Sequence, residues 1–204
     1  MLNAIVIPGK FTRAATYLFL LLIANISIAS AAKAIKPFVL ASVHETGEVS
    51  NLVSATRDNL SKSGFEIVGQ YSPYADTEIL VFTSERLRKN SALSRRGGYG
   101  AALRASITLN DDRIELVYTN PIYWANAYRM ENDLADTRMA LEKVLGFMQE
   151  FGTGDEELSA ADMREYHYTL MMEYFDDPSI LAYYDSHREA VQVVDRNLAG
   201  FQTC

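Results

Sequence analysis

The stretch Leu103-Arg-Ala-Ser-Ile-Thr-Leu109 leads through Asn110-Asp-Asp112 into Arg113-Ile-Glu-Leu-Val-Tyr-Thr119. In the first run, apolar and polar side chains alternate, which is the period of two expected of a half-buried strand. A second strand follows the three polar residues of the predicted turn. The segment therefore predicts an antiparallel hairpin with one face in the core and one face exposed to solvent.

Upstream of the hairpin, the sequence predicts a β-α-β-β unit. Its elements are a central strand over 38–43, a helix over 48–62 with Thr46 as its N-cap, and two strands over 65–71 and 77–83. The helix carries apolar residues at spacings of three and four and is followed by a glycine. This pattern indicates a helix that packs one face on a sheet.

Helices are predicted on both sides of the hairpin. Ser84 is the predicted cap of a short helix over 85–93, and Asn120-Pro121 opens a helix that continues through Tyr128. A longer helix is predicted over 133–151, and we assign its stripe of aliphatic residues to the core.

The C-terminal part of the chain predicts further strands and helices. Ser159-Ala-Ala-Asp162 is typical of a capping box for a short helix. Strands are predicted over 166–175, where aromatic residues are dense, and over 180–184. For the segment 166–175, a helix is the alternative to a strand. The capping box Ser186-His-Arg-Glu189 then begins a helix that ends at Gly200.

The end of the last helix, over 195–201, echoes the end of the first helix, over 58–65. This echo suggests two related β-α-β halves, the second lacking its final strands. The predicted fold class is α+β, with a mixed or antiparallel sheet packed by helices. We divide the chain into a leader over 1–31, an α+β domain over 32–151, and a C-terminal β/α extension over 152–204 that represents an incomplete second half.

The leader has the order of a signal peptide. Lys10 and Arg13 precede an uncharged apolar run over 14–28, which is followed by Ala29-Ser-Ala31. The run is shorter than the roughly 20 residues that a membrane-spanning helix needs. Cleavage after Ala31 is therefore favoured over cleavage after Ala32, and an uncleaved membrane anchor is the alternative. The sequence predicts a periplasmic or secreted protein.

The chain is acidic and nearly free of cysteine. Its formal net charge is −7, and removal of the two basic residues of the leader makes the charge about −9. Such a chain is a poor partner for nucleic acid. Cys204 is its only cysteine, so no intramolecular disulfide can form, although an intermolecular one can link a homo-oligomer.

Several short motifs carry a resemblance to a known family. They are Gly64-Phe65 after the first helix, Ile79-Leu-Val-Phe82 in a strand, Gly98-Tyr-Gly100 before the hairpin and Tyr118-Thr-Asn-Pro121 at its exit. With these motifs the chain resembles the bacterial domain-of-unknown-function family 302, and its C-terminal part looks like that of longer, exported members. The resemblance implies a compact α+β fold with no agreed reaction or cofactor.

A basic, glycine-rich segment is the first candidate site. Six basic residues flank Gly97-Gly-Tyr-Gly100, namely Arg86, Arg88, Lys89, Arg95, Arg96 and Arg104. Paired arginines bind phosphate or carboxylate in a fork, and a glycine loop frees backbone N–H groups for an anion. We therefore predict that Arg95, Arg96, Tyr99 and Arg104 bind a small anionic or lipid-like ligand. The alternative is a solvated basic loop, since no phosphate-binding fingerprint is present.

Aromatic residues form the second part of the predicted site. Tyr118, Tyr123 and Trp124 are predicted to provide contact area for the ligand, since Tyr and Trp form apolar pocket walls with polar tips. Tyr128, Tyr166 and Tyr168 belong to the same aromatic-rich set. The alternative is that these rings pack in the core.

The remaining patterns argue against catalysis. His44, His167 and His187 lack the spacing of metal ligands, and no nucleophile elbow is present. We expect no catalytic residues, metal or cofactor. The predicted function is binding of a small anionic or amphiphilic ligand by an exported, non-enzymatic protein. The alternative is a protein–protein interaction or assembly module of the bacterial envelope that pairs through an exposed strand edge.

Overall fold

The computed structural model describes residues 34–45, 47–154, 157–166, 169–172 and 177–201. The predicted leader over 1–31 lies outside these residues, and so does Thr46, the predicted N-cap of the first helix. The residue at the N-cap position of that helix is Glu48, whose side chain makes no capping hydrogen bond.

Six strands form one antiparallel sheet in the order β2-β3-β4-β5-β1-β6. The strands are β1 (Phe38–His44), β2 (Glu66–Tyr71), β3 (Thr77–Thr83), β4 (Leu103–Asn110), β5 (Arg113–Thr119) and β6 (Gln149–Phe151). The predicted α+β class is confirmed, with the sheet antiparallel throughout. Strand β1 lies between β5 and β6, inside the sheet as predicted.

The described residues form six α-helices and one short 3-10 helix. The α-helices are α1 (Val49–Lys62), α2 (Glu85–Ala92), α3 (Pro121–Ala127), α4 (Ala135–Leu145), α5 (Ala160–Arg164) and α6 (His187–Phe201). The 3-10 helix spans Gly97–Gly100. Three predicted caps are confirmed, because Ser84, Asn120 and Ser159 each accept a backbone N–H of the first turn of their helices.

The predicted hairpin forms the middle of the sheet. Ala105 pairs with Tyr118 and Ile107 pairs with Leu116, and all four side chains are buried. Polar side chains alternate with them, as the period of two requires. The hairpin turn places Asp111 in the left-handed region with φ +53°, a conformation that Asp tolerates better than most residues.

The core lies between the sheet and two helices. Helix α1 contacts β2, β3 and β4, helix α4 contacts β1, and the two helices contact each other. Leu60 from α1 and Leu141 from α4 are fully buried with Leu80 and Phe82 of β3. The apolar stripes of the two helices therefore cover one face of the sheet, as their spacing predicts.

The helix predicted over 133–151 ends early, at Leu145. Gly146 follows with φ +102°, and a Cβ at that position would lie 2.9 Å from the carbonyl oxygen of Ala41. Glycine therefore ends the helix and lets the chain pass close to β1. The last three residues of the predicted helix form β6 instead, where Phe151 pairs with Phe38.

The strands predicted in the C-terminal part are wrong where the structure describes them. Residues 166, 169–172 and 180–184 form no strand, and the rest of the segment 166–175 lies outside the described residues. Leu170, Met171 and Leu181 are at least 90 % exposed, so no sheet covers them. A strand needs neighbouring strands for its backbone groups. The predicted second β-α-β half is therefore not formed by the described residues.

The last predicted helix is confirmed as α6. Its N-terminus is capped by Ser186, whose hydroxyl oxygen accepts the N–H of Glu189 at 3.2 Å. The carboxylate of Glu189 accepts the N–H of Asp185 at 3.2 Å. The first bond satisfies a donor that the first helical turn would otherwise leave unpaired, and the second ties the residue before the cap to the helix.

Candidate functional site

The glycine-rich segment is a tightly packed 3-10 turn. Gly97 is buried, and a Cβ there would lie 2.0 Å from the carbonyl oxygen of Ser91. The N–H of Gly97 donates to the Ser94 carbonyl oxygen at 3.1 Å. A Cβ on Gly100 would lie 2.5 Å from the Met130 Sδ. The prediction that this loop offers its backbone N–H groups to an anion is wrong for Gly97, because both glycines serve close packing and the Gly97 N–H is already bonded.

The arginines beside this turn border a small pocket of about 290 Å³. We call it the arginine pocket and define it by its lining residues, Ser94, Arg95, Arg96, Tyr128, Arg129 and Asp177. Arg96 Nη1 lies 3.5 Å from Asp177 Oδ1. Arg95 is exposed and forms no ion pair within the described part of the chain. Among the residues that the structure describes, the lining thus combines three guanidinium groups with the carboxylate of Asp177.

Hydrogen bonds with Arg164, the last residue of helix α5, fix the segment that contains Arg129. Arg129 follows the end of α3 with φ +50°, and its Nε donates to the carbonyl oxygen of Arg164 at 2.8 Å. Arg164 in turn donates to Asn126 Oδ1 at 2.7 Å and to the Met130 carbonyl oxygen at 2.8 Å. These charge-assisted bonds on both sides of Arg129 fix one wall of the arginine pocket.

An aromatic stack extends from the same pocket. The Tyr128 ring lies 5.1 Å from the Tyr99 ring at 24° and 5.6 Å from the Trp124 ring at 17°. Tyr123 meets Trp124 edge to face at 5.7 Å. Tyr99 is the most exposed of the four, at 60 %. Three of the predicted contact residues, Tyr99, Tyr123 and Trp124, are therefore brought together through Tyr128.

The environment of Tyr128 favours its neutral form. Burial raises the pKa of the Tyr128 hydroxyl, and the nearby Tyr99 hydroxyl adds to this effect, while the Arg104 guanidinium opposes it. Arg104 therefore acts on Tyr128 electrostatically, although it does not line the arginine pocket. A neutral phenol can both donate and accept a hydrogen bond at the pocket wall.

Tyr118 does not join this site, contrary to prediction. Its side chain is 1 % exposed, its hydroxyl donates to the Gly146 carbonyl oxygen at 3.3 Å, and the Arg138 guanidinium carbon lies 5.8 Å from its ring centre. Burial raises the pKa of Tyr118 to about 12. Tyr118 is a core residue because its strand position faces α4.

Half of the predicted basic cluster is occupied by surface ion pairs. Arg86 lies 3.8 Å from Asp136, Arg88 lies 2.8 Å from Glu66, and Lys89 lies 2.7 Å from Glu85. These exposed pairs neutralise the basic residues of α2 and contribute little stability. The basic residues of α2 are therefore ion-paired at the surface, and none of them lines the arginine pocket.

Two charged lining residues, Arg129 and Asp177, could not be assigned to the site from the sequence. Each comes from a different part of the chain, so spacing could not group them with Arg95. One signal was available, since Arg129 directly follows the aromatic set that includes Tyr128. Among the described residues, no group of three or more His, Cys, Asp or Glu side chains is placed to hold a metal ion. Within the same residues, no helix is long and apolar enough to span a membrane.

The fold and the site define this chain as a small α+β protein with a basic pocket beside an aromatic stack. No family model matches it, and neither curated proteins nor solved structures give a match. The resemblance to family 302 therefore stays a prediction from the short motifs.

Proposed function

We propose that this protein binds a small anionic ligand in the arginine pocket. The observation that carries the proposal is the meeting of Arg95, Arg96 and Arg129 around one pocket, where Asp177 supplies the one carboxylate among the described lining residues. This surplus of positive charge stands out on a chain whose formal net charge is −7. A local field of this sign attracts anions even where the whole protein repels them.

The size and chemistry of the pocket favour a phosphate or carboxylate group. About 290 Å³ is at the lower end of ligand sites, so the bound group is small. Guanidinium forks match the oxygen pairs of phosphate and carboxylate and bind them bidentately. Tyr128 adds an apolar ring beside the charges. The headgroup of an anionic lipid presents the same chemistry as a free phosphate compound.

Calorimetric titration with inorganic phosphate at low salt tests the proposal. Arg95→Ala combined with Arg96→Ala should weaken binding at least about tenfold, since two charge-assisted contacts are lost. Arg86→Ala combined with Arg88→Ala is the matched control, because it removes the same charge from ion-paired residues outside the pocket. Equal losses in both double variants, or no loss in the first, would overturn the proposal.

A second arm of the experiment separates the two sources of the anion. Vesicles of phosphatidylglycerol should bind the protein more strongly than vesicles of phosphatidylcholine only if the ligand is a lipid headgroup. Binding of free phosphate without binding to either vesicle identifies a soluble ligand. In both cases the Arg95 and Arg96 double variant should lose the binding that the native protein shows.

The binding is proposed to take place outside the cytoplasm. This part of the proposal depends on the leader predicted over 1–31, and intact mass after expression with that leader tests it. A chain that starts at Ala32 or Lys33 supports export. The full-length mass in the membrane fraction would instead identify an uncleaved anchor.

The second candidate function is assembly, which the exposed apolar residues of α6 favour. Val191, Val194 and Leu198 repeat at spacings of three and four and are 43–60 % exposed. In a helix pair with α6 of a second copy, these three residues would pack against their counterparts. The predicted pairing through an exposed strand edge stays a prediction, for which β2 and β6 are the edges of the described sheet.

Sedimentation over a range of concentrations tests assembly. Val194→Glu should abolish a dimer that forms through α6, whereas Gln192→Glu, which adds the same charge beside the apolar stripe, should leave the dimer intact. A monomer at all concentrations would eliminate this candidate and leave ligand binding unaffected.

A further inference from the structure

A second cavity lies between α1 and the β2–β3 hairpin. Its volume is about 560 Å³, within the range of small-molecule sites. We call it the hairpin groove and define it by its lining residues, Val49, Ser50, Val53, Ser54, Arg57, Gln70, Ser72, Tyr74, Ala75, Asp76, Thr77 and Glu78. None of these residues lines the arginine pocket.

A row of planar polar groups lies along one wall of the hairpin groove. Arg57 donates to Gln70 Oε1, and Gln70 Nε2 donates to Glu78 Oε2 at 3.1 Å. Ser72 Oγ donates to the other oxygen of Glu78. Each group therefore orients the next before any ligand binds. Because these side chains are already ordered, less conformational entropy is lost when a ligand binds to them.

Serine residues of α1 also line the hairpin groove. Ser54 Oγ donates to the Ser50 carbonyl oxygen at 2.9 Å, so the lone pairs of the Ser54 hydroxyl remain as acceptors. Tyr74 stands at the rim with 76 % of its surface exposed. A tyrosine in this position offers a flat apolar face and a polar tip to a ligand.

The charges of the hairpin groove argue against an anionic ligand. The charged lining residues are Arg57, Asp76 and Glu78, so the lining carries a formal charge of about −1. Donors and acceptors are mixed within hydrogen-bond distance of one another. A hydroxyl group is both donor and acceptor and fits such a lining without bringing a charge.

We propose that the hairpin groove binds a neutral saccharide. The hydroxyls of the sugar contact the row Arg57, Gln70 and Glu78, and one face of the sugar ring packs on Tyr74. This site is separate from the arginine pocket, and its ligand is of a different class. The inference does not depend on the proposed anion binding.

Titration of the ¹⁵N-labelled protein with cellobiose and with N,N′-diacetylchitobiose tests this site. At least one of these probes should give saturable shifts in amide signals of residues 49–57 and 70–78, at millimolar concentrations. Tyr74→Ala and Gln70→Ala should each weaken the binding about fivefold. Tyr71→Ala is the matched control, because Tyr71 is 48 % exposed on the same hairpin and does not line the groove.

Two results would overturn the saccharide site. One is the absence of saturable shifts in these segments with either probe. The other is an equal affinity of the Tyr74→Ala variant and the native protein. Inorganic phosphate added to the same sample should leave the signals of the groove in place, which keeps this test independent of the arginine pocket.

Discussion

Nη2 of Arg138 lies 3.2 Å from Oε1 of Glu150, so a buried arginine on α4 binds the carboxylate of the edge strand β6. The same nitrogen lies 2.8 Å from Glu142 Oε1, and only 6 % of the Arg138 side chain is exposed. The guanidinium also lies 5.0 Å from the centre of the Phe147 ring. Strand β6 has only three residues. The ion pair between Arg138 and Glu150 therefore helps its pairing with β1 to keep it in the sheet.

Loss of the Glu150 carboxylate should destabilise the fold. Glu150→Ala leaves the buried charge of Arg138 with Glu142 alone, and we expect the free energy of unfolding to fall by about 2–3 kcal/mol. Urea denaturation of the variant and of the native protein measures this change in the free energy of unfolding. Glu45→Ala, which breaks the exposed pair with Arg113, should cost less than about 1 kcal/mol. Equal costs for the two variants would show that the buried pair has no special role.

The stability of the fold should fall at alkaline pH through Tyr118. Burial raises its pKa to about 12 in the folded state, against about 10 in the unfolded chain. The folded state therefore keeps the proton that the unfolded state loses, and stability declines as the pH rises from about 10 to 12, by at most about 3 kcal/mol. Tyr118→Phe should remove this part of the decline. An unchanged pH profile in the variant would contradict the assignment.

Replacement by alanine should destabilise the protein at Gly97 and have little effect at the neighbouring Gly98. Gly97→Ala places a Cβ 2.0 Å from the backbone oxygen of Ser91, which cannot move as a side chain can, and should cost about 2–4 kcal/mol. A Cβ on Gly98 meets nothing within 4 Å, so Gly98→Ala should change stability by less than about 0.5 kcal/mol. Thermal unfolding of both variants checks the contrast. Similar melting temperatures would contradict the packing of the 3-10 turn.

Asp177 should compete with an anionic ligand in the arginine pocket. Its carboxylate lies 3.5 Å from Arg96, where it offsets part of the positive charge. We expect Asp177→Asn to bind inorganic phosphate about threefold to tenfold more tightly in calorimetry. Asp185→Asn on the same segment is the control and should bind as the native protein does. Weaker binding by Asp177→Asn would mean that this carboxylate positions Arg96 instead.

Local patterns predicted most of the sheet and the helix caps. The hairpin could be predicted because its alternation depends only on neighbouring residues, and the caps at Ser84 and Asn120 because they act within one turn. Strand β6 could not, since three residues show no period and depend on pairing with β1. Gly146 was the available signal, because a glycine after an apolar stripe is typical of a helix end.

The candidate site could be predicted only in part. Arg95 and Arg96 are adjacent in the chain, so their joint position follows from the sequence. Arg129 and Asp177 reach the same pocket through the fold, and no spacing connects them. Tyr118 was predicted as a contact residue, yet it alternates in step with the buried residues Ile114 and Leu116 of its strand, and that period places it in the core.

The arginine pocket is tested most directly by the side-chain Nε–H signals of the arginines during titration with inorganic phosphate. We predict that the signals of Arg95, Arg96 and Arg129 shift together and saturate at one dissociation constant. The signals of Arg86 and Arg88, which are paired with Asp136 and Glu66, should not move. Shifts of equal size in all five arginines, or none in the first three, would contradict the site.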